Sequence, residues 1–345
     1  MLKHKKILCN EQGLALLMTV FVLSLATILT MGLAKETNTN LKSSRGFIEA
    51  IQAEFLLKSA LNQGIIALAD KDRNEPGIIE NQTNDDNHTE SWTVFNSGNE
   101  LSPVSNIIGT YKVFITDESN KININTLNSN TFWRDKLTLL METQLGFVQE
   151  TFPEEERRTL GNQAFNSANQ VASIIDYIDT DSQSYTINGF KGAGIESRQR
   201  EWFPIKSSGQ IDTISELSNV PGMTVERLRR LAPYVKSSSN NNSNLNIITA
   251  LKSTPEILIA LGADPEAINA ELSNISSGQY SPLDIRDNLF SGRFDQGLIN
   301  SNTAFQSNFF SIIAEVQMPN ISRWLRAEIN LSSGSNIEIS KVEFY

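Results

Sequence analysis

Hydrophobic and polar positions change period three times along this chain. Residues 14–33 carry no charged side chain. A helix of ~20 such residues, at ~1.5 Å each, spans the ~30 Å apolar core of a bilayer. From Lys35 to Ala69 polar and apolar residues mix, and no proline occurs before Pro76. Within that stretch Ala53, Leu57, Ala60, Leu61, Gly64 and Leu68 recur at three- and four-residue spacing, which lays one apolar stripe along a helix. The two stretches predict a single long helix. Its first half belongs in a membrane or a filament core, and its second half packs on a soluble domain. Asn38, Thr39 and Asn40 mark a place where it could loosen.

Alternation follows. Residues 91–96 and 109–116 read as strands, the second with Tyr111, Val113 and Ile115 on one face. From about Thr126 to Phe294 helical spacing dominates, over 132–147, 162–176, 214–217, 225–235, 255–261 and 265–272, with the polar tract 237–244 as a loop. Strand character returns at 309–317, at 321–331 (Ile321, Arg323, Leu325, Ala327 and Ile329 on one side) and at 337–344. The predicted fold class is α+β: a long N-terminal helix packed on an antiparallel sheet, with a large all-α domain inserted between strands. The predicted divisions are 1–13 as a leader, 14–34 as the transmembrane or filament-core part of the helix, 35–125 as the first part of the α+β domain, 126–300 as the insertion, and 301–345 as the closing strands.

Composition narrows the chemistry. The chain has 345 residues, a net charge of −10 and a single cysteine, Cys9. An acidic surface disfavours nucleic acid and anionic headgroups and suits metal cations or basic proteins. If the leader is lost, the remainder has no thiol, which leaves neither disulfides nor thiolate chemistry. The two histidines are His4, in the leader, and His88, in a polar run of Asn, Asp, Thr and Glu. A Ser-His-Asp triad would have to use His88 as its base. No G-x-S-x-G, H-E-x-x-H or phosphate-loop motif is present, so the chain reads as a non-enzyme.

The N-terminus is more specific. Lys3, Lys5 and Lys6 against Glu11 give the first 13 residues a charge of about +2, and such a flank stays in the cytoplasm. A secretory signal peptide places its small residues after the apolar run; here Gly13 stands before it. That inversion resembles a type IV prepilin leader, cut by prepilin peptidase between Gly13 and Leu14 while the apolar helix is retained. The alternative is a plain N-terminal anchor. Most pilins carry Glu as the fifth mature residue, and here the fifth is Met18. Among the pseudopilins that departure is a mark of the K-type minor pseudopilin of type II secretion.

Three internal features carry candidate chemistry. Asp176, Asp179 and Asp181 place three carboxylates within six residues, and Gly189, Gly192, Gly194 and Glu196 follow. Crowded carboxylates call for neutralisation, and an all-oxygen donor set suits calcium better than zinc or copper. The alternatives are a solvated acidic loop, or Asp176 closing a turn. Residues 215–231, built around Pro221 and Gly222, look like a helix-hairpin-helix. In DNA-binding versions such a hairpin holds a phosphate, and Arg227, Arg229 and Arg230 would suit that; Glu226 and the acidic net charge favour a helix pair used for packing. Finally, K-I-N-I-N-T-L at 121–127 and L-N-I-I-T-A-L at 245–251 echo one another. Each precedes a helical segment, with Thr placed to cap it and Asn read as turn and cap residues.

Taken in order, the leader, D-E-S-N-K-I-N-I-N-T-L at 117–127, I-I-D-Y-I-D-T-D at 174–181, the S-E-L…V-P-G-M-T hairpin, L-N-I-I-T-A-L and S-N-F-F at 307–310 resemble the type II secretion minor pseudopilins of the general secretion pathway protein K family. The resemblance implies a pilin-like α+β domain with a large helical insertion. It implies a subunit at the tip of the periplasmic pseudopilus, bound to the I- and J-type minor pseudopilins, that starts assembly in the inner membrane and whose bulk blocks further addition. It also implies prepilin-type cleavage, methylation and calcium, with Asp179 and Asp181 matching best. Glu196 fits less well, because the family's Gly-Ala-Glu is replaced by Gly192-Ala193-Gly194-Ile195-Glu196. Partners other than nucleic acid are expected. The competing reading is a membrane-tethered helix-hairpin-helix module that binds DNA in an uptake system.

Overall fold

The computed structural model describes residues 11–69, 99–101, 109–147, 166–179, 183–191, 209–238, 244–276, 281–293, 295–332 and 336–345. Helix α1 (Glu11–Ala69) has 59 residues, a length of roughly 90 Å. It runs unbroken through Asn38, Thr39 and Asn40, where the sequence suggested a looser segment. The reason is local. The hydroxyls of Thr37 and Thr39 donate to the carbonyls of Leu33 and Lys35, one turn back. So placed, the hydroxyls do not compete for the helix's amides, and the helical backbone continues past them.

The second half of α1 buries the expected stripe. Ala53, Leu56, Leu57, Ala60, Leu61 and Leu68 are all buried. At Gly64 the helix comes so near the sheet that an added Cβ would lie 2.8 Å from Ile312 Cδ1; a hydrogen there is what permits the contact. The Tyr111 hydroxyl donates to Gln63 Oε1 at 3.0 Å and ties the helix to its neighbouring strand.

Five strands form the main sheet. Strand β1 is Asn99–Leu101, β2 is Thr110–Asp117, β9 is Phe309–Gln317, β10 is Ser322–Ser332 and β11 is Asn336–Phe344. They are antiparallel throughout, in the order β1-β2-β9-β10-β11. Alternation puts Val113, Ile115, Ile312, Ala314, Leu325 and Ala327 on the face that meets α1. Arg323 shares that parity but is exposed, its charge near Glu54 of α1. The predicted strand at 91–96 lies outside the described residues.

Between β2 and β9 the chain leaves the sheet and builds a helical body with a separate core. Its helices include α2 (Thr131–Thr143), α3 (Ser167–Ile178), α4 (Val225–Leu231), α5 (Ile247–Ser253), α6 (Pro255–Leu261), α7 (Pro265–Ser276), α8 (Pro282–Phe290) and α9 (Gln296–Asn302). Trp133, Leu137, Met141, Ile175, Leu251 and Leu258 are fully or almost fully buried at its centre. The segment expected as one helix over 225–235 instead ends its α-turns at Leu231. It continues as a short 3-10 turn over Ala232–Tyr234 and becomes extended at Val235. Pro233 lacks the N–H that another α-turn would require. Residue spacing does not single out helices α5, α8 and α9.

Short pairings complete the body: β3 (Ile122–Asn123) with β6 (Val235–Lys236), β4 (Thr186–Ile187) with β5 (Phe190–Lys191), and β7 (Leu245–Asn246) with β8 (Thr303–Ala304). The sequence echo has a structural counterpart here. Both β3 and β7 are two-residue parallel strands that lead into a helical turn capped by an asparagine. Asn123 Oδ1 accepts from the Asn125 amide, and Asn246 Oδ1 accepts from the amides of Ile248 and Thr249. Asparagine, not threonine, is the cap: the Thr126 and Thr249 hydroxyls donate backward to the carbonyls of Asn123 and Asn246.

Candidate functional site

Residues 14–33 lie on α1 with every side chain exposed. Leu14, Leu17, Phe21, Val22, Ile28 and Leu33 are each 60% or more exposed. An 18-residue window of this helix has a mean hydropathy of 2.4 and none of it is buried. At ~1.5–3 kcal/mol per large apolar side chain, leaving this surface in water costs on the order of 20–40 kcal/mol. Among the described residues there is therefore one helix long and apolar enough to cross a membrane, and it fits a single-pass anchor. Leu14 and Met18 stand one turn apart, on the same face. Gly13, the predicted processing residue, lies in the helix one position before Leu14.

Exposed apolar residues continue past the span. Leu41, Phe47, Ile48, Ile51, Phe55 and Ile66 all lie in α1 and face away from the sheet. Helix α1 thus has two apolar surfaces in its second half, one covered by β2, β9 and β10 and one uncovered.

The acidic cluster is partly described. Helix α3 is wholly buried and begins with a reciprocal capping box between Asn166 and Asn169. It ends at Asp179, whose backbone turns extended while its amide still donates to the Ile175 carbonyl. Asp176 is fully buried and Asp179 is nearly so. Asp176 Oδ1 accepts the backbone N–H of Tyr185, which holds the returning loop against the helix end. The two side chains supply only oxygen donors, as a hard cation requires. Among the described residues no group of three or more His, Cys, Asp or Glu side chains is placed to hold a metal ion. Asp181 and Glu196 lie outside the described residues.

The hairpin is well defined and inward-looking. A 3-10 turn (Ile214–Asn219) leads through Pro221 and Gly222, the latter at φ 79°, to α4, which Thr224 caps. Arg227 is not presented to solvent. It is buried, its guanidinium lies 5.3 Å from the Phe147 ring centroid, and it donates to Gln170 Oε1 and the Gly222 carbonyl. Gln170 Nε2 in turn donates to the Pro221 carbonyl. Arg229 and Arg230 both pair with Glu226. The hairpin is thus a packing device that locks α4 against α3, and the part suggested for Arg227 as a phosphate ligand is replaced by this internal role.

A constellation that residue spacing did not reveal joins three of the sequence motifs. Where the chain leaves β2 and re-enters at β9, the Glu118 amide donates to the Phe309 carbonyl at 2.8 Å. Around that crossover Asp117 Oδ2 accepts the Ser307 hydroxyl at 2.6 Å, and Asn246 Nδ2 donates to Ser307 Oγ at 2.8 Å. Ser119 Oγ accepts the amides of Asn308 and Phe309, and the Asn246 amide donates to the Ser119 carbonyl. All four side chains are buried, where unmade hydrogen bonds are expensive. The runs at 117–127, 245–251 and 307–310 are thereby one polar stitch that fastens the insertion to the sheet.

A long, half-covered N-terminal helix on an antiparallel sheet, interrupted by a helical body between neighbouring strands, defines an α+β protein of the pilin-like class. The chain matches no family model, and no curated protein matches it in sequence. In three dimensions it is similar to a chain of the GspK-GspI-GspJ complex from the type 2 secretion system of enterotoxigenic Escherichia coli. The match covers 88% of this chain and 99% of the other, with a TM-score of 0.64 at 17% identity. The chain has a GspK-like fold.

Proposed function

We propose that the protein is a minor pseudopilin of a type II secretion system, located at the tip of the pseudopilus, where it starts and caps assembly. One observation carries this reading: a single helix on a GspK-like fold, with an apolar surface exposed along 14–33 and again at Phe47, Ile51 and Phe55. Lipid covers the first surface before assembly, and sister helices cover both within a filament. Small residues at Ala26, Gly32 and Ala34 favour close helix contact. Met18, where other pilins carry a glutamate, spares a tip subunit a carboxylate for which it has no neighbour above.

The natural partners on this reading are the I- and J-type minor pseudopilins, since the similar structure is a complex with proteins of those names. Prepilin peptidase cleaves after Gly13, and the soluble part faces the periplasm. Calcium belongs to the proposal as well. Asp176 and Asp179 supply two buried carboxylates, and Asp181 and Glu196 would add oxygens to a shell of about six to eight. The protein is a structural subunit, not an enzyme. The test is co-purification of the full-length chain with the I- and J-type subunits from membranes, with and without chelator, alongside a Gly13→Leu variant. Retention of both partners by the parent, and an unprocessed leader in the variant, is the expected result. A normally processed Gly13→Leu chain, or a parent that captures neither partner, overturns the reading.

A further inference from the structure

Where the helical insertion meets the outer face of the sheet, a cavity of 160 Å³ opens between the 232–238 segment and strands β9, β10 and β11. Charged groups from both sides line it: Lys121 and Lys236 from the insertion, Arg326 and Glu328 from β10, and Glu118 at the crossover. Lysine seldom points inward, yet Lys236 is only 6% exposed. Its amine lies 4.6 Å from the Phe309 ring centroid. Among the described residues nothing forms a hydrogen bond or an ion pair with that amine. Burial lowers its pKa from 10.5 to about 8, against the attraction of Asp117, Glu118 and Glu328 and with the repulsion of Lys121.

The nearby acids are already engaged. Glu118 holds Lys121 at 2.8 Å and the Ser311 hydroxyl at 2.9 Å. Asp117 accepts from the Ser119 amide and from Ser307. Arg326 reaches Glu118 and Glu328 only at 3.8 and 3.6 Å through Nη2, and its Nε is buried with no acceptor among the described residues. One small cavity thus contains two cationic donors with unused hydrogen-bonding capacity, each belonging to a different part of the fold. The Arg326 side chain as a whole is 41% exposed, so its head faces the open side of the cavity while Lys236 lies deeper, and one charged acceptor placed between them would bond to both.

We infer that this cavity is a binding site for one carboxylate group, held between the Lys236 ammonium and the Arg326 guanidinium. A carboxylate is planar and carries one negative charge. The cavity is lined by three cations, Lys121, Lys236 and Arg326, against two carboxylates, Glu118 and Glu328; the surplus of one positive charge is neutralised by one carboxylate and exceeded by a dianion such as phosphate. The volume admits a short acid or the last residue of a peptide, so the carboxylate comes from a free small acid or from the C-terminal end of a polypeptide. Because it joins β10 to the insertion, an occupied site would brace the two bodies against each other.

The test uses the full-length chain in detergent, labelled with carbon-13 at lysine Cε and titrated at constant ionic strength. The Lys236 signal is identified by its loss in Lys236→Met. Acetate is expected to move that signal saturably and to raise its titration midpoint by about one unit. Arg326→Gln should weaken acetate binding about tenfold while the other lysine signals stay in place; this variant also supplies the control should Lys236→Met fail to fold. A tripeptide with a free C-terminus, compared with its C-terminal amide, separates the sources. Displacement of acetate by the free acid alone points to a polypeptide end, and acetate binding without tripeptide binding points to a small free acid. A Lys236 signal that neither acetate nor the tripeptide acid moves at tens of millimolar overturns the inference, as does equal binding of the amide or preferential binding of inorganic phosphate.

Discussion

The two halves of α1 share one backbone and differ in what covers them. From Ala53 to Leu68 the helix shows one apolar stripe and the sheet buries it. From Leu14 to Leu33 it is apolar on all sides and the rest of the fold leaves it bare. A stripe can be satisfied by one sheet; a fully apolar rod needs lipid or several neighbouring rods. The first half is therefore built for surroundings that the chain itself does not supply, and the second half is built to hold the first on a folded body.

Breaking the packed half should have the largest effect. Leu57 is 1% exposed, so Leu57→Ala should lower unfolding stability by about 2–5 kcal/mol, read by urea denaturation of the detergent-solubilised chain. Leu23→Ala, in the exposed half, should change the same measurement by no more than about 0.5 kcal/mol; equal losses at the two sites would erase the contrast. Next comes the span itself. Leu23→Arg, near its centre, should cost about 2.5–3.5 kcal/mol of membrane insertion and lower the fraction resisting alkaline extraction, whereas Phe55→Arg should leave that fraction unchanged.

Lys236 extends the comparison to a polar group for which the described residues supply no acceptor. Its folded pKa, about 8, lies below the ordinary 10.5. Between those values the unfolded chain holds the proton and the folded chain does not, so stability rises with pH across that window. Below about 8 both states are protonated and the full penalty is present. Lys236→Met should therefore stabilise the protein near neutral pH by up to roughly 3 kcal/mol, and the gap should close as pH approaches 10.5. A pH-independent gap in urea midpoints would show that the amine is not the cause. The smallest effect belongs to the hairpin surface. Glu226 is exposed and pairs with exposed Arg229 and Arg230, so Glu226→Gln should shift stability by less than about 1 kcal/mol.

Much of this architecture was legible along the chain because the signals are local. The stripe on α1 follows from spacing alone. The strands at 109–116, 309–317 and 321–331 follow from alternation, and the helix at 255–261 from its helical spacing; the structure ends that helix at Gly262, at φ 103°. The cap role of Asn123 and Asn246 could be read from their place before helical segments. Other features involve residues far apart in sequence and could not be read this way. Ser307 finds Asp117 and Asn246 only because β9 returns beside β2. Arg227 looked like a surface cation until α3 and Phe147 were seen to enclose it. The acidic cluster divides: Asp176 and Asp179 are inside the described fold, Asp181 and Glu196 outside it.

Sequence by itself determined that this protein carries an uncovered apolar rod, a stripe that must meet a sheet, and a helical body between strands. Each is written in the period of neighbouring side chains, and hydrophobic burial follows that period wherever the chain goes. Tertiary structure alone decided which polar residues lie inside. Asp117, Ser307, Asn246, Arg227 and Lys236 are buried because distant segments close over them, and no local pattern records which distant segment will arrive.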